Sequence, residues 1–135
     1  MPRGPWLAWL SRWAPERALR SLEPRDPRYG RAGERLAERH LRRRGFALLA
    51  RRLRTRWGEL DLVMRDGGVL VVVEVKTGRA GPRFRPAARV SREDLERRWR
   101  AAAELARGAP HRVDVVEVRL WPLEVVHLRG PRLTP

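Results

Sequence analysis

The chain contains no cysteine, asparagine, glutamine or isoleucine. Without cysteine there is no disulfide framework, no thiolate metal site and no cysteine nucleophile. Loss of Asn, Gln and Cys suits a heat-adapted source, although a GC-rich genome produces the same bias. Histidine is scarce: His40, His111 and His127 lie apart with no ligand spacing, and they read as packing or surface residues rather than zinc ligands. No run of about 18 apolar residues occurs, which excludes a membrane-spanning helix. The N-terminus lacks the continuous apolar core of a secretory signal, so the expected location is the cytoplasm. Lysine is almost missing, since of 31 Lys plus Arg only Lys76 is lysine.

What is abundant is arginine. The formal net charge is +15 and the pI about 11.8 over 135 residues. That length makes one domain, burying about two-thirds of the surface of its unfolded chain. A surface of this charge seeks polyanions, and phosphate contacts would give salt-sensitive, largely sequence-independent affinity for nucleic acid. Solubility alone and attraction to anionic lipid are the competing readings.

Against this basic background, Gly58-Glu59-Leu60-Asp61-Leu62-Val63 and Val71-Val72-Val73-Glu74-Val75-Lys76 place acids where core strands should be apolar. The second run is dense enough in valine to be a strand covered on both faces. Glu74 and Lys76 then share a face about 7 Å apart. Between the runs, Arg65-Asp66-Gly67-Gly68 offers two hairpin turns of the primed type. A turn on Gly67-Gly68 sets Asp61 opposite Glu74 and Glu59 opposite Lys76, whereas a turn on Asp66-Gly67 sets Glu59 opposite Glu74. Either register predicts all four groups on one side of the sheet. Two negative charges about 4 Å apart repel by roughly 4 kcal/mol at an effective dielectric near 20, so a cation is expected among them. Lysine, unlike arginine, is a compact charge that can orient or deprotonate water, and the lone lysine falls at this point.

Asp61, the intervening segment and Glu74-Val75-Lys76 resemble the PD-(D/E)xK nuclease signature in the variant of Holliday-junction-resolvase-like endonucleases. More narrowly, both strand motifs with Thr77, the upstream Gly33-Glu34, Ala37, Leu41, Gly45 and Phe46, and the downstream Arg112-Val113-Asp114-Val115-Val116 are similar to the YraN family of small bacterial proteins. The resemblance covers residues 30 to 118 and implies an α/β fold with a restriction-endonuclease-like core. It also implies that Glu34 completes a metal site. From the residues alone, Glu34 lies at the edge of a helix stripe among Arg31, Arg35 and Arg39, where a surface ion pair is the competing role.

The pattern along the chain predicts three regions. Residues 1–28 form a Trp/Arg/Pro-rich extension, with Trp6, Trp9, Leu10 and Trp13 at helical spacing before Pro15 and a linker at Pro24 and Pro27. Base stacking, membrane docking and packing on the domain are its open roles. Residues 29–130 form the nuclease-like domain, and 131–135 a tail. A helix over 30–44 buries Gly33, Leu36, Ala37, His40 and Leu41 and stops at Gly45. A strand over Phe46–Ala50 is flanked by basic runs, so that Arg51, Arg52, Arg54 and Arg56 form a solvated face or a phosphate-gripping rim. Arg79 and Arg92 are further nucleic-acid contacts, Arg92 replacing a lysine expected in the family. Thr77 to Arg89 reads as a lid or strand-guiding loop. Ser91 to Asp94 matches a capping box opening a helix with Leu95, Trp99, Ala102 and Ala106 inward, ended by Gly108 and Pro110. Val113–Leu120 and an edge strand over Leu123–Leu128 follow. The order is α-β-β-β-α-β-β, a mixed sheet flanked by helices, with a right-handed crossover returning the fourth strand to the hairpin.

These residues predict a metal-dependent endonuclease acting on DNA, with branched or structured DNA among its candidate substrates and branch specificity left open; the alternative is a nucleic-acid-binding protein that keeps the fold without useful catalysis. Asp61, Glu74 and a carbonyl near Val75, with Glu34 added by the resemblance, would hold Mg²⁺ or Mn²⁺, for which hard oxygen ligands are suited. Lys76 would orient the attacking water or stabilise developing charge. Glu59 is expected to support Lys76 or to be an additional ligand, with Thr77 in the same supporting role. DNA against RNA, and monomer against homodimer, stay open.

Overall fold

Proline begins both N-terminal helices of the computed structural model, which describes residues 14–79, 81 and 89–130. Helix α1 (Pro15–Ser21) and helix α2 (Pro27–Arg43) each carry proline in the first turn, where its missing N–H has no intrahelical partner to lose. Asp26 caps α2, its side chain accepting the Arg28 backbone N–H. The expected linker at Pro24 and Pro27 is therefore a short turn between packed helices, and Ala18, Leu19 and Leu22 are buried in the core. The predicted Trp6–Trp13 helix, the Pro82 and Pro86 part of the expected lid and the 131–135 tail lie outside the described residues.

Five strands form one mixed sheet in the order β1-β2-β3-β4-β5. Strands β1 (Ala47–Thr55), β2 (Gly58–Asp66) and β3 (Val69–Arg79) run antiparallel in succession. Helix α3 (Arg92–Ala106) crosses over to β4 (His111–Leu120), parallel to β3, and β5 (Glu124–Leu128) returns antiparallel at the edge. Leu62 pairs with Val73 and Asp66 with Val69, so the hairpin turns on Gly67-Gly68, with Gly67 at φ 59°. Ser91 and Asp94 form the predicted capping box of α3.

Both faces of β3 are covered, which explains its uninterrupted valines. Val71, Val73 and Val75 pack beneath α1 and α2, while Val72 packs against Ala101 and Ala102 of α3. One close approach fixes α2 on the sheet: a β-carbon at Gly33 would overlap the Thr77 hydroxyl and come within 2.9 Å of Thr77 Cβ.

Two strand boundaries differ from expectation. β1 runs on through Thr55, so Arg51, Arg52 and Arg54 stand within the strand rather than beside it, and β3 extends to Arg79, which puts Thr77 and Gly78 in the sheet rather than in a loop. Burial on α2 also differs. Leu36 and His40 are half-buried, whereas Ala32, Glu34 and Glu38 are inside.

Strand alternation breaks at two places: the β1–β2 register shifts between Leu48 and Ala50, and a second break surrounds Asp61. Leu60 and Val63, three residues apart on β2, pack on the α3 face, and so do Ala50 and Leu53 of the neighbouring β1. The residues enclosed by this second break are Asp61 and Arg52, which stand opposite each other because Arg51 pairs with Leu62 and Leu53 with Leu60. Arg52 takes the irregularity in its backbone, with φ at 47°. Period-two reasoning therefore fails here, and the expected sharing of one face by Glu59, Asp61, Glu74 and Lys76 is corrected.

Candidate functional site

Asp61 sits where the β2–β3 ladder ends. Its carboxylate accepts the Val75 backbone N–H at 2.9 Å, so the side chain takes the place of the next strand-to-strand bond. Burial pushes its pKa up to about 7; the Glu74 charge adds to the rise, the Val75 bond opposes it, and Glu34 raises it further. Glu34 is also raised, by burial first, against the pull of Arg52 and a hydrogen bond with Asp61. The hydrogen bond between the two carboxyls raises Asp61 and lowers Glu34, so a proton shared by the pair favours Asp61.

Glu74 extends toward α3. It is 4% exposed, with Oε1 3.3 Å from Lys76 Nζ and Oε2 accepting from Arg98 Nε at 3.0 Å. Arg98 was missed from the sequence, although a signal existed: it lies three residues after Leu95 and four before Ala102, an inward position on a helix otherwise faced with small and apolar residues. A buried arginine at such a place needs a buried acid, and Glu74 supplies it.

Glu34, expected at the helix edge, is 8% exposed and accepts from Arg52 Nε at 3.2 Å. The Arg52 guanidinium also reaches Glu59 at 3.5 Å, and Arg54 lies 3.9 Å from the same carboxylate. Glu59 is thus placed with Arg52 and Arg54 rather than with Lys76, a correction that follows from the break in alternation. Thr77 packs against Gly33. One turn further along α2, the buried Glu38 takes a bidentate pair from Arg51 at 2.6 and 2.9 Å, with Arg42 at 3.3 Å.

The candidate nucleic-acid arginines divide accordingly. Arg51 and Arg52 are committed to Glu38 and Glu34, and Arg56 bonds Glu104 at 3.0 Å beside Trp57. Arg92 lies 3.7 Å from Glu96. Arg54 and Arg79 are exposed at the sheet surface. A second buried network holds β4 to the end of β5: Asp114, fully buried, accepts from Arg112 Nε at 3.0 Å, His127 Nε2 at 2.8 Å and Gly130 N at 2.7 Å. His127 is thereby a packing histidine.

Asp61 lies within electrostatic reach of both Glu34 and Glu74, and carboxylate oxygens of this kind are hard donors that suit Mg²⁺ or Mn²⁺. Among the described residues no three Asp, Glu or His side chains converge, as they stand, closely enough to enclose an ion. The reason is visible in the pairing. Arg98 and Lys76 hold Glu74 and Arg52 holds Glu34, so the protein's own cations occupy the oxygens that an ion would take.

A mixed five-stranded sheet flanked by helices, with acids on adjacent central strands, defines an α/β protein whose architecture is consistent with a restriction-endonuclease-like core. Residues 33–118 match the profile of the Uncharacterised protein family UPF0102, and the chain belongs to that family, the YraN-type group that its motifs resemble. A UPF0102 protein of Frankia alni is 48% identical over 113 residues, covering 75% of this chain and 91% of its own length. Counterparts in Symbiobacterium thermophilum and Streptomyces coelicolor are 44% and 46% identical, covering 70% and 67% of this chain and 85% and 75% of their own. No described helix is long and apolar enough to cross a membrane.

Proposed function

We propose that this protein is a divalent-metal-dependent phosphodiesterase acting on nucleic acid, with branched or structured DNA as the leading substrate class. The observation that carries the reading is the place of Asp61, buried at the end of the β2–β3 ladder on the Val75 N–H at 2.9 Å and within electrostatic reach of Glu74 and Glu34, which together with burial raise its pKa. Perturbed carboxyls of this kind cluster at functional sites. A divalent cation would relieve their repulsion directly.

Asp61, Glu74 and Glu34, with the Val75 carbonyl, are the groups that would hold Mg²⁺ or Mn²⁺. Such an ion supplies Lewis acidity toward a phosphate oxygen and acidifies water. Lys76 Nζ, already hydrogen-bonding distance from Glu74, would position the attacking water and offset the charge that develops on the phosphoryl oxygens. Arg98, which bonds Glu74 at 3.0 Å, would supply a second counter-charge beside the acids. The +15 surface would gather the polyanion, giving affinity that falls about a thousandfold or more between 50 and 200 mM salt if several phosphates are neutralised.

One observation favours a second reading, a nucleic-acid-binding protein without catalysis: Arg98, Lys76 and Arg52 already neutralise the acids. Incubating the protein with linear, nicked, flapped and four-way DNA, with and without Mg²⁺ or Mn²⁺, separates the two. Metal-dependent cleavage abolished by Glu74→Gln supports the phosphodiesterase, and salt-sensitive binding with no cleavage and no metal uptake supports the binding protein.

A further inference from the structure

Beyond Lys76, β3 continues along the wall of a cavity of about 310 Å³ lined by Pro24, Tyr29, Thr77, Gly78, Arg79 and Arg89. Its volume is at the lower end of small-ligand sites, room for one nucleotide unit and too little for a base pair. The floor is rigid, because Thr77 is held against Gly33 of α2 at a distance that admits no side chain there. Arg89 is anchored across the mouth by an N–H from Nη2 to the Thr77 carbonyl at 2.7 Å. Burial raises the Tyr29 phenol while the charges of Arg79 and then Arg89 pull against it, so both guanidinium groups lie within electrostatic reach of a neutral hydroxyl donor.

We infer that this cavity is a binding subsite for the sugar-phosphate unit of an unpaired nucleic-acid strand that also passes the acids Asp61 and Glu74. Charge and continuity select that occupant. The lining offers two guanidinium groups and a phenol and carries no carboxylate, which suits an anion. The steps from Lys76 to Arg79 cover about 10 Å along the strand, so a ligand reaching both places is a polymer rather than a free phosphate. A positive groove with an aromatic wall is the usual device for holding single strands. The consequence is a substrate preference: a flap, fork or junction with a splayed strand fills the cavity, and a blunt duplex does not. This assignment rests on the phosphodiester reading of the neighbouring acids.

Fluorescence anisotropy in EDTA tests it, with a labelled oligothymidine, a 5′-flap and a blunt duplex as probes and Arg79→Gln, Arg89→Gln, the double variant and Tyr29→Phe as proteins. Each arginine change should weaken single-strand and flap binding about fivefold to tenfold and lower the salt slope by about 0.7, the value for one phosphate contact on a single strand. Tyr29→Phe should keep the melting temperature and lose part of the single-strand affinity. Blunt-duplex affinity should be unchanged in all four. Equal losses on duplex and single strand, or no loss on either, overturn the subsite while leaving the acid cluster untouched. Failure of the wild type to bind any of the probes would overturn the nucleic-acid reading itself, and with it this one.

Discussion

Replacing Asp61 by asparagine should stabilise the protein, and by an amount that grows with pH. The carboxyl lies at about 7 in the fold against 3.8 for the free group, first because of burial and then because of Glu74. A folded value above the unfolded one means that the native state holds the extra proton between about pH 4 and 7, so stability is full below pH 4 and declines as pH rises through 7. Since each tenfold change in acidity is worth about 1.4 kcal/mol, ionising Asp61 costs the fold several kcal/mol at pH 8 and a smaller amount at pH 5. Asparagine carries neither cost. Its carbonyl keeps the Val75 N–H and its amide replaces the proton shared with Glu34. The quantity to measure is the melting temperature of wild type and Asp61→Asn at pH 5, 6.5 and 8 in EDTA. Other titrating groups, such as Glu38 and Asp114 with their lowered values, are common to both proteins and cancel in the difference. The gap should widen from pH 5 to 8 by a few kcal/mol, on the order of 10 °C in a domain of this size. A gap that stays constant with pH, or a variant that melts several degrees below wild type at pH 8, would refute the picture of Asp61 as a crowded, proton-holding carboxyl.

The remaining expectations concern its neighbours. Arg98→Gln should tighten Mn²⁺ binding severalfold in calorimetry, by removing the competitor for Glu74, and should lower the metal-free melting temperature; weaker metal binding would show Arg98 to be a support of the ligands instead. Lys76→Arg should retain DNA affinity in Ca²⁺ but lose about a hundredfold to ten-thousandfold in single-turnover cleavage, since guanidinium cannot replace a compact ammonium in placing water. Full activity would assign this lysine a purely electrostatic role. Gly33→Ala should destabilise by about 1–3 kcal/mol through collision with Thr77, despite alanine's better helix propensity. Chemical denaturation checks this, and Thr77→Gly in the same chain should restore most of the loss.

Much of the site was legible from local pattern. The capping box at Ser91 and Asp94, the stop at Gly45, a hairpin turn within Asp66-Gly67-Gly68 and the doubly covered valines of β3 are each set by a few adjacent residues, and backbone sterics act over that same range. Of the two turns the sequence left open, the pairing takes Gly67-Gly68. What the carboxylates touch was decided elsewhere. Arg98 comes to Glu74 only because α3 docks on the sheet, and Arg52 comes to Glu34 and Glu59 because alternation fails in two neighbouring strands at once. A strand's period of two holds only while the ladder is regular. Asp61, by accepting the Val75 N–H with its side chain, ends that regularity where the chemistry is concentrated. Ion pairs among long arginine side chains depend on positions far apart in the chain, which no local pattern encodes, so the sequence by itself marked the acids on the central strands and the tertiary structure decided what each of them meets.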